Sequence, residues 1–178
     1  DIHRDLKRSF DKRIEKTIEL VNNSDEQWLI WTLKNDEADA LSKVIKNSFN
    51  VQGSDKPDYK SEKLNGFANG DFQNLITKTS IASFGMNFQN CSNMIFTSYD
   101  FKFEQFYQAV RRSYRFGQKN KVTVHILVPE TQKNVRQSIL EKEKKHKEMI
   151  SEMAKYSSNT DYKKNKSNVI LKHKEIKT

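Results

Sequence analysis

Trp28-Leu29-Ile30-Trp31-Thr32-Leu33 is an almost wholly apolar run, followed at once by Lys34-Asn35-Asp36-Glu37. It is too short to be read as a helix, and it does not alternate as a strand with one wet face would. Such a run reads as a strand covered on both faces, the habit of parallel sheets with helices above and below. Trp28 and Trp31 stand three apart, so in a strand they face opposite sides and serve packing rather than base stacking. After the run, Asn35 is expected to cap a helix whose first turn carries Asp36 and Glu37, where negative charge suits the helix dipole. Ala38, Leu41, Val44 and Ile45 supply its apolar stripe. Before the run, Ile2, Leu6, Phe10, Ile14, Ile18 and Val21 recur at helical spacing across residues 2–22.

The alternation continues downstream. Strands are expected at Phe49–Gly53, Phe72–Thr77, Asn93–Thr97 and Val122–Val128, with Pro129 ending the last. Helices are expected over 59–68 and 102–115, and an amphipathic Lys/Glu-rich one from Thr131 to Lys155; Pro57 falls in a loop and Asn69-Gly70 in a turn. Strands separated by helical patterns imply a three-layer α/β fold with a mainly parallel sheet. Residues 1–140 read as that lobe and 141–178 as an extended helix with a polar, basic tail. The tail carries one apolar patch, Val169-Ile170-Leu171, and is expected to be loosely ordered or ordered by a partner.

A chain of 178 residues with 35% hydrophobic content and eleven Phe can build one core. Its net charge of +9 favours a polyanionic partner. Cys91 is the only cysteine, which excludes a disulfide framework and a thiolate zinc cluster; it reads as a small buried residue. No stretch approaches the ~18 apolar residues of a membrane span, and the start, Asp1-Ile2-His3-Arg4-Asp5, is unlike a signal peptide. The chain therefore reads as soluble and cytoplasmic. It begins without Met, as a piece of a longer protein would.

The chemistry concentrates in Gln108-Ala109-Val110-Arg111-Arg112-Ser113-Tyr114-Arg115-Phe116-Gly117-Gln118. On a helix Arg112 and Arg115 would project from one face, a turn apart. Two planar guanidiniums so placed can reach one polyphosphate. Three clustered arginines by themselves favour a basic helix face solvated or salt-bridged at the surface.

Their register is more telling. Gln108, Arg112, Arg115, Gly117 and Gln118 reproduce the pattern Q-x-x-x-R-x-x-R-x-G-Q, which resembles motif VI of superfamily-two helicases, above all Swi/Snf-like translocases. Phe106-Tyr107-Gln108 and Arg115-Phe116-Gly117-Gln118 share the wording of phage-type helicases. Upstream, Thr79-Ser80-Ile81-Ala82-Ser83-Phe84-Gly85-Met86-Asn87 is similar to motif V, with Gly85 and Asn87 as its G-x-N core. Leu29 to Asn35 and Gly53-Ser54-Asp55 resemble motif IV and the DNA-facing loop after it. The resemblance spans roughly residues 10–140 and implies the second, RecA-like lobe of a helicase.

That resemblance implies roles. Arg112 would be an arginine finger for ATP held with Mg2+ by a first lobe, and Arg115 would pair with the phosphates or with that lobe's acidic motif. Gln108 would orient the arginines or touch the nucleotide, and Gly85, Asn87 and Gln118 would lie against it. Thr79, Ser80, Gly53 and Ser54 would meet phosphates of DNA, RNA being left open. The implied partners are thus DNA and the N-terminal RecA-like lobe of the same protein, with no membrane, in a bacterial, phage or prophage setting. A non-catalytic nucleic-acid-binding module with a degenerate motor fold is the alternative. Ser83 stands where Swi/Snf proteins have glycine, and Arg111 where most have a small residue.

Other segments carry less. Asp36-Glu37-Ala38-Asp39 spells a DEAD box, but its acids begin a helix instead of ending a strand, and no G-x-x-x-x-G-K-[ST] occurs to face them. His125 lies within an apolar strand and reads as a satisfied histidine near the core. His146 and His173 lack metal-ligand spacing.

Overall fold

The run at 28–33 forms β1, Trp28–Thr32, and every residue in it is buried. A computed structural model describes residues 2–98, 101–115, 117–129, 135–156 and 169–177. α1 (Ile2–Arg8) and α2 (Phe10–Asn22) precede β1. After it come α3 (Asn35–Val44), β2 (Ser48–Val51), α4 (Pro57–Asn69) and β3 (Asn74–Lys78), then a 3-10 helix at Thr79–Phe84. β4 (Asn93–Phe96), α5 (Phe103–Arg111), β5 (Val122–Pro129), α6 (Val135–Tyr156) and β6 (Val169–Ile176) complete the order.

The six strands make one sheet, β2-β3-β1-β4-β5-β6, and every adjacent pair is parallel. The register Leu29↔Leu75, Leu29↔Met94 and Met94↔Val124 lines up like residues across the sheet. Period-two alternation then sorts the core into two layers. Leu29, Trp31, Leu75, Met94, Phe96, Val124 and Ile126 pack with Phe67 of α4, Phe106 of α5 and Met149 of α6. Trp28, Ile30, Ile76, Ile95 and Leu127 pack with Val21 of α2 and Ala38 and Leu41 of α3. The two tryptophans thus serve opposite faces, and the expected three-layer α/β fold with a parallel sheet is what forms.

Several details differ from expectation. The helix over 2–22 is two helices, broken at Ser9, whose Oγ donates to Asp5 O at 2.7 Å and accepts Arg13 Nε at 3.0 Å. Asn35 is the first residue of α3, and Lys34 holds the cap position with no side-chain cap bond. Pro57 opens α4, a place where its missing N–H costs nothing. Gly70 closes that helix at φ 84°, the left-handed turn a Cβ resists. The largest correction lies in the basic tail. Val169–Ile176 is no loose segment but an eight-residue strand paired along β5 from Val122↔Val169 to Pro129↔Ile176. Its alternating Ile176 and Val169/Leu171 feed the two core layers, which the apolar patch alone did not reveal. The boundary expected at 140 falls inside α6, and residues 157–168 lie outside the described ones.

No helix among the described residues is long and apolar enough to cross a membrane.

Candidate functional site

α5 buries Phe106, Ala109 and Val110 against the sheet, which leaves Gln108 and Arg111 on its outer side. The helix does not continue to 115 as expected. It ends at Arg111, and the chain tightens: Ser113 N–H bonds Val110 O at 3.2 Å and Arg115 N–H bonds Ser113 O at 3.1 Å. Gly117, at φ 92°, completes the turn, and a Cβ there would lie 2.6 Å from Gln89 Oε1. The one-turn spacing on a helix is therefore not what unites Arg112 and Arg115. A shared acceptor does so: Arg112 Nη1 donates to Met86 O at 3.3 Å and Arg115 Nη1 donates to the same oxygen at 3.4 Å.

Met86 sits in the loop after the 3-10 helix. Gly85, at φ 71°, turns the chain there, and Phe88 N–H returns to Arg112 O at 2.8 Å. Gly85 is required for that backbone angle rather than for room, since a Cβ would stand 3.9 Å from Arg112 Nη1. Arg112 is further held by Gln108, whose backbone O accepts Nε and whose Oε1 accepts Nη2, both at 3.0 Å. Gln108 thus orients Arg112.

Arg112 is buried to 7% exposure, yet all these acceptors are neutral. Among the described residues no carboxylate pairs with Arg111, Arg112 or Arg115. The Arg112 pKa is pushed below its ordinary value, first by burial and then by Arg111 and Arg115. Arg115 is half-buried, and exposed Arg111 lies over the Tyr107 ring, 5.2 Å to its centroid. Concentrated positive charge with donors left over is a cradle for an anion with several oxygens.

The other expected contacts divide. Asn87 is exposed, and its Oδ1 accepts Gln89 N–H at 3.1 Å. Gln118 spends its amide on the chain: Nε2 donates to Cys91 O at 3.2 Å and Ser113 O at 3.1 Å, and Oε1 accepts Asn120 N–H at 3.1 Å. It is a staple beneath the arginine turn, a different task from the nucleotide contact expected of it. Phe116 lies outside the described residues.

At the carboxyl edge of the sheet, β2 and β3 pair through Val51↔Thr77, so the loops that follow them are neighbours. Gly53 and Ser54 are exposed in the first, a turn closed by Gln52 N–H to Asp55 Oδ2 at 2.7 Å. Lys60 Nζ donates to Gly53 O at 2.5 Å. In the second, Ser80 is exposed but Thr79 is buried at 7%. One continuous segment, 79–86, therefore joins this edge to the arginine cradle.

The DEAD spelling is a helix start. Glu37 is buried in an ion pair with Arg13, whose Nη1 also donates to Thr97 O at 2.7 Å. Asp36 Oδ1 accepts Glu37 N–H at 2.9 Å, and Asp39 Oδ1 accepts Gln52 Nε2 at 2.9 Å. Sequence reasoning missed Arg13; the signal was the polar series Ser9, Arg13, Thr17 at spacing four, all buried, with Ser9 at the cap of α2 and the other two within it. Cys91 is fully buried with its thiol pushed up to about 12 by desolvation. His125 is buried as expected but not satisfied: its Nδ1 has no hydrogen-bond partner among the described residues. No group of three or more His, Cys, Asp or Glu among them is placed to hold a metal ion.

A family described as the helicase conserved C-terminal domain matches residues 12–117. Among solved structures, the C-terminal part of the Fun30 ATPase domain is similar with a TM-score of 0.60 at 21% identity. That match covers 72% of this chain and 44% of the Fun30 chain, so this chain spans under half of that relative. The C-terminal domain of the DEAD-box protein Dbp5 is similar at a TM-score of 0.59 and 15% identity, over 93% of this chain and 84% of that one. Both likenesses concern the fold, which is RecA-like. No curated protein matches the chain.

Proposed function

This chain belongs to the helicase conserved C-terminal domain family, and we propose that it is the second lobe of an ATP-dependent DNA helicase or translocase, lending arginines to ATP bound by another lobe. The observation that carries this reading is the meeting of Arg112 and Arg115 on Met86 O with no carboxylate among the described residues to neutralise them. Phosphoryl transfer spreads negative charge over γ-phosphate oxygens, and an arginine inserted there is worth ~10³–10⁵ in rate. Arg115, half-buried, is placed to arrive first. Arg112 follows by exchanging Gln108 Oε1 and Met86 O for phosphate oxygens, neutral acceptors for charged ones.

The phosphate loop and the Mg2+ ligands belong to the other lobe, since this chain contains no phosphate-loop sequence. Exposed Gly53, Ser54 and Ser80 face nucleic-acid phosphate at the carboxyl edge, where α/β sheets place ligands. Segment 79–86 couples the two ends: closing on nucleotide moves Met86, and the same backbone carries Ser80. Repeated closure and reopening steps the motor along the strand.

The test uses the complete two-lobed protein. Arg112→Ala is expected to lower kcat of the nucleic-acid-stimulated ATPase by about 10³-fold or more, with DNA affinity changed only a few-fold. Equal losses in both would reassign this turn to nucleic-acid contact. The chain alone should bind DNA weakly and hydrolyse no ATP; robust hydrolysis by it would sink the half-motor reading.

A further inference from the structure

His146 and His173 are 27 residues apart in sequence, yet His146 Nδ1 lies 2.8 Å from His173 Nε2, and the rings stack at 5.1 Å and 17°. His146 also stacks on Phe106 of α5 at 4.9 Å and 22°, and Phe106 packs on Phe96 of β4 at 4.9 Å. The result is a column of four rings running from the central sheet, through the arginine helix, to α6 and the edge strand β6. Phe106 is two residues before Gln108, which holds Arg112. Both α6 and β6 lie outside the residues matched by the family.

We propose that His146 and His173 are positioning residues for the arginine helix, forming a proton-sensitive brace that holds α5, and through it Arg112, in place. This rests on the arginine role proposed above. A hydrogen bond between two imidazole nitrogens needs one donor and one lone pair. In the tautomer that points His173 Nδ1–H toward Glu143 Oε1, 3.8 Å away, His173 Nε2 accepts and His146 Nδ1–H donates; in the other tautomer the roles reverse. A first added proton is shared across the contact, with His146 Nδ1 becoming the acceptor; a second sets two N–H groups face to face, and the contact opens. Among the described residues the charged groups facing His173 come from α6: Glu143, which favours the proton, and Lys147, which opposes it. Phe106 of α5 and Phe96 of β4 bring no charge, and Lys172 and Lys174 of β6 point to the opposite layer, toward His125. Burial dominates and holds His173 below the ordinary histidine value, so the brace is closed at neutral pH and opens in acid.

The chain itself is the sample for the first measurement. Histidine imidazole, Phe106 ring and Arg112 Nε–H signals are followed by NMR from pH 8 to 5. Expected is a shift of Phe106 and Arg112 with the same midpoint as His173, abolished in His173→Gln, whose amide oxygen still accepts from His146 and never titrates. His146→Phe keeps the stack on Phe106 without the proton chemistry and should be equally flat, which covers a failure of His173→Gln to fold. An Arg112 Nε–H signal unmoved through the histidine midpoint, or a shift that survives in both variants, overturns the brace.

In the complete protein, kcat should fall about tenfold per pH unit below that midpoint, and His173→Gln should move this acid limb downward. An unmoved limb also overturns the proposal. A complete protein without any ATPase activity refutes the motor reading instead and leaves the NMR result to decide the brace.

Discussion

Arg13 and Arg112 are both buried arginines, at 2% and 7% exposure, and the fold treats them in opposite ways. Arg13 has a carboxylate, Glu37, and three further acceptors in Thr97 O, Leu6 O and Ser9 Oγ. Its pKa, lowered to about 10 chiefly by burial and raised by Asp36, still leaves it charged at neutral pH. Arg112 is surrounded by neutral acceptors and by two more arginines that add to the cost of its charge. A buried charge that is neutralised internally belongs to architecture. A buried charge with no carboxylate partner among the described residues invites a counter-charge from a ligand, which is why the proposed site is built on the second arginine and not the first.

The largest stability effect should follow from breaking the compensated pair. Arg13→Met leaves the Glu37 carboxylate buried and alone, and unfolding by urea should show a loss of about 3–5 kcal/mol. Adding Glu37→Met should restore much of this, because two apolar side chains no longer carry a desolvated charge. What stays lost is the side-chain bond to Thr97 O, about 1 kcal/mol, while Leu6 O keeps Ser9 Oγ at 3.4 Å. Simple additivity of the two substitutions would mean that Arg13 and Glu37 are not energetically coupled.

His125 shows a third solution, which is to give up the charge. Burial first, then Lys172, Lys174 and Lys16, lower its pKa from 6.5 to about 4. The fold therefore keeps the ring neutral, and the unfolded chain binds the proton first. Stability from this residue is complete above pH 6.5 and is lost as pH falls toward 4, in total on the order of 3 kcal/mol. His125→Phe retains an aromatic beside Trp28, whose ring lies 5.4 Å away, and removes the titration. The difference between wild-type and variant unfolding midpoints should grow through that window; parallel curves would show that the ring is not kept neutral by the fold.

How much of this was legible in sequence depends on whether the cause was local. β1 was readable because a doubly buried strand must be apolar at every position, and Trp28 and Trp31 had to part company by period two. The motif residues Arg112 and Arg115 were readable as a pair, but not the way they meet. Their convergence on Met86 O depends on a loop with Gly85 at φ 71° and on a helix that ends at Arg111. Such geometry arises between segments. β6 escaped for the same reason: Lys172, Lys174 and the exposed edge make it look like a tail, and only pairing with β5 supplies its backbone partners. The Arg13–Glu37 pair left only the faint Ser9-Arg13-Thr17 spacing, because its partner comes from another helix.

The smallest effect is the sharpest test of the opening contrast. If Arg112 is held in place for a ligand rather than for the fold, removing its charge should cost the free chain little. Arg112→Met keeps the stem that packs beside Gln108 and abolishes the repulsion from Arg111 and Arg115. Against that stand hydrogen bonds to Gln108 and Met86, each worth ~1 kcal/mol net and replaceable by water at this partly open edge. The two contributions oppose one another, and the urea midpoint should move by less than about 1 kcal/mol in either direction. A loss comparable to that of Arg13→Met would make Arg112 a structural arginine after all, and the lack of a carboxylate beside it among the described residues would lose its functional meaning.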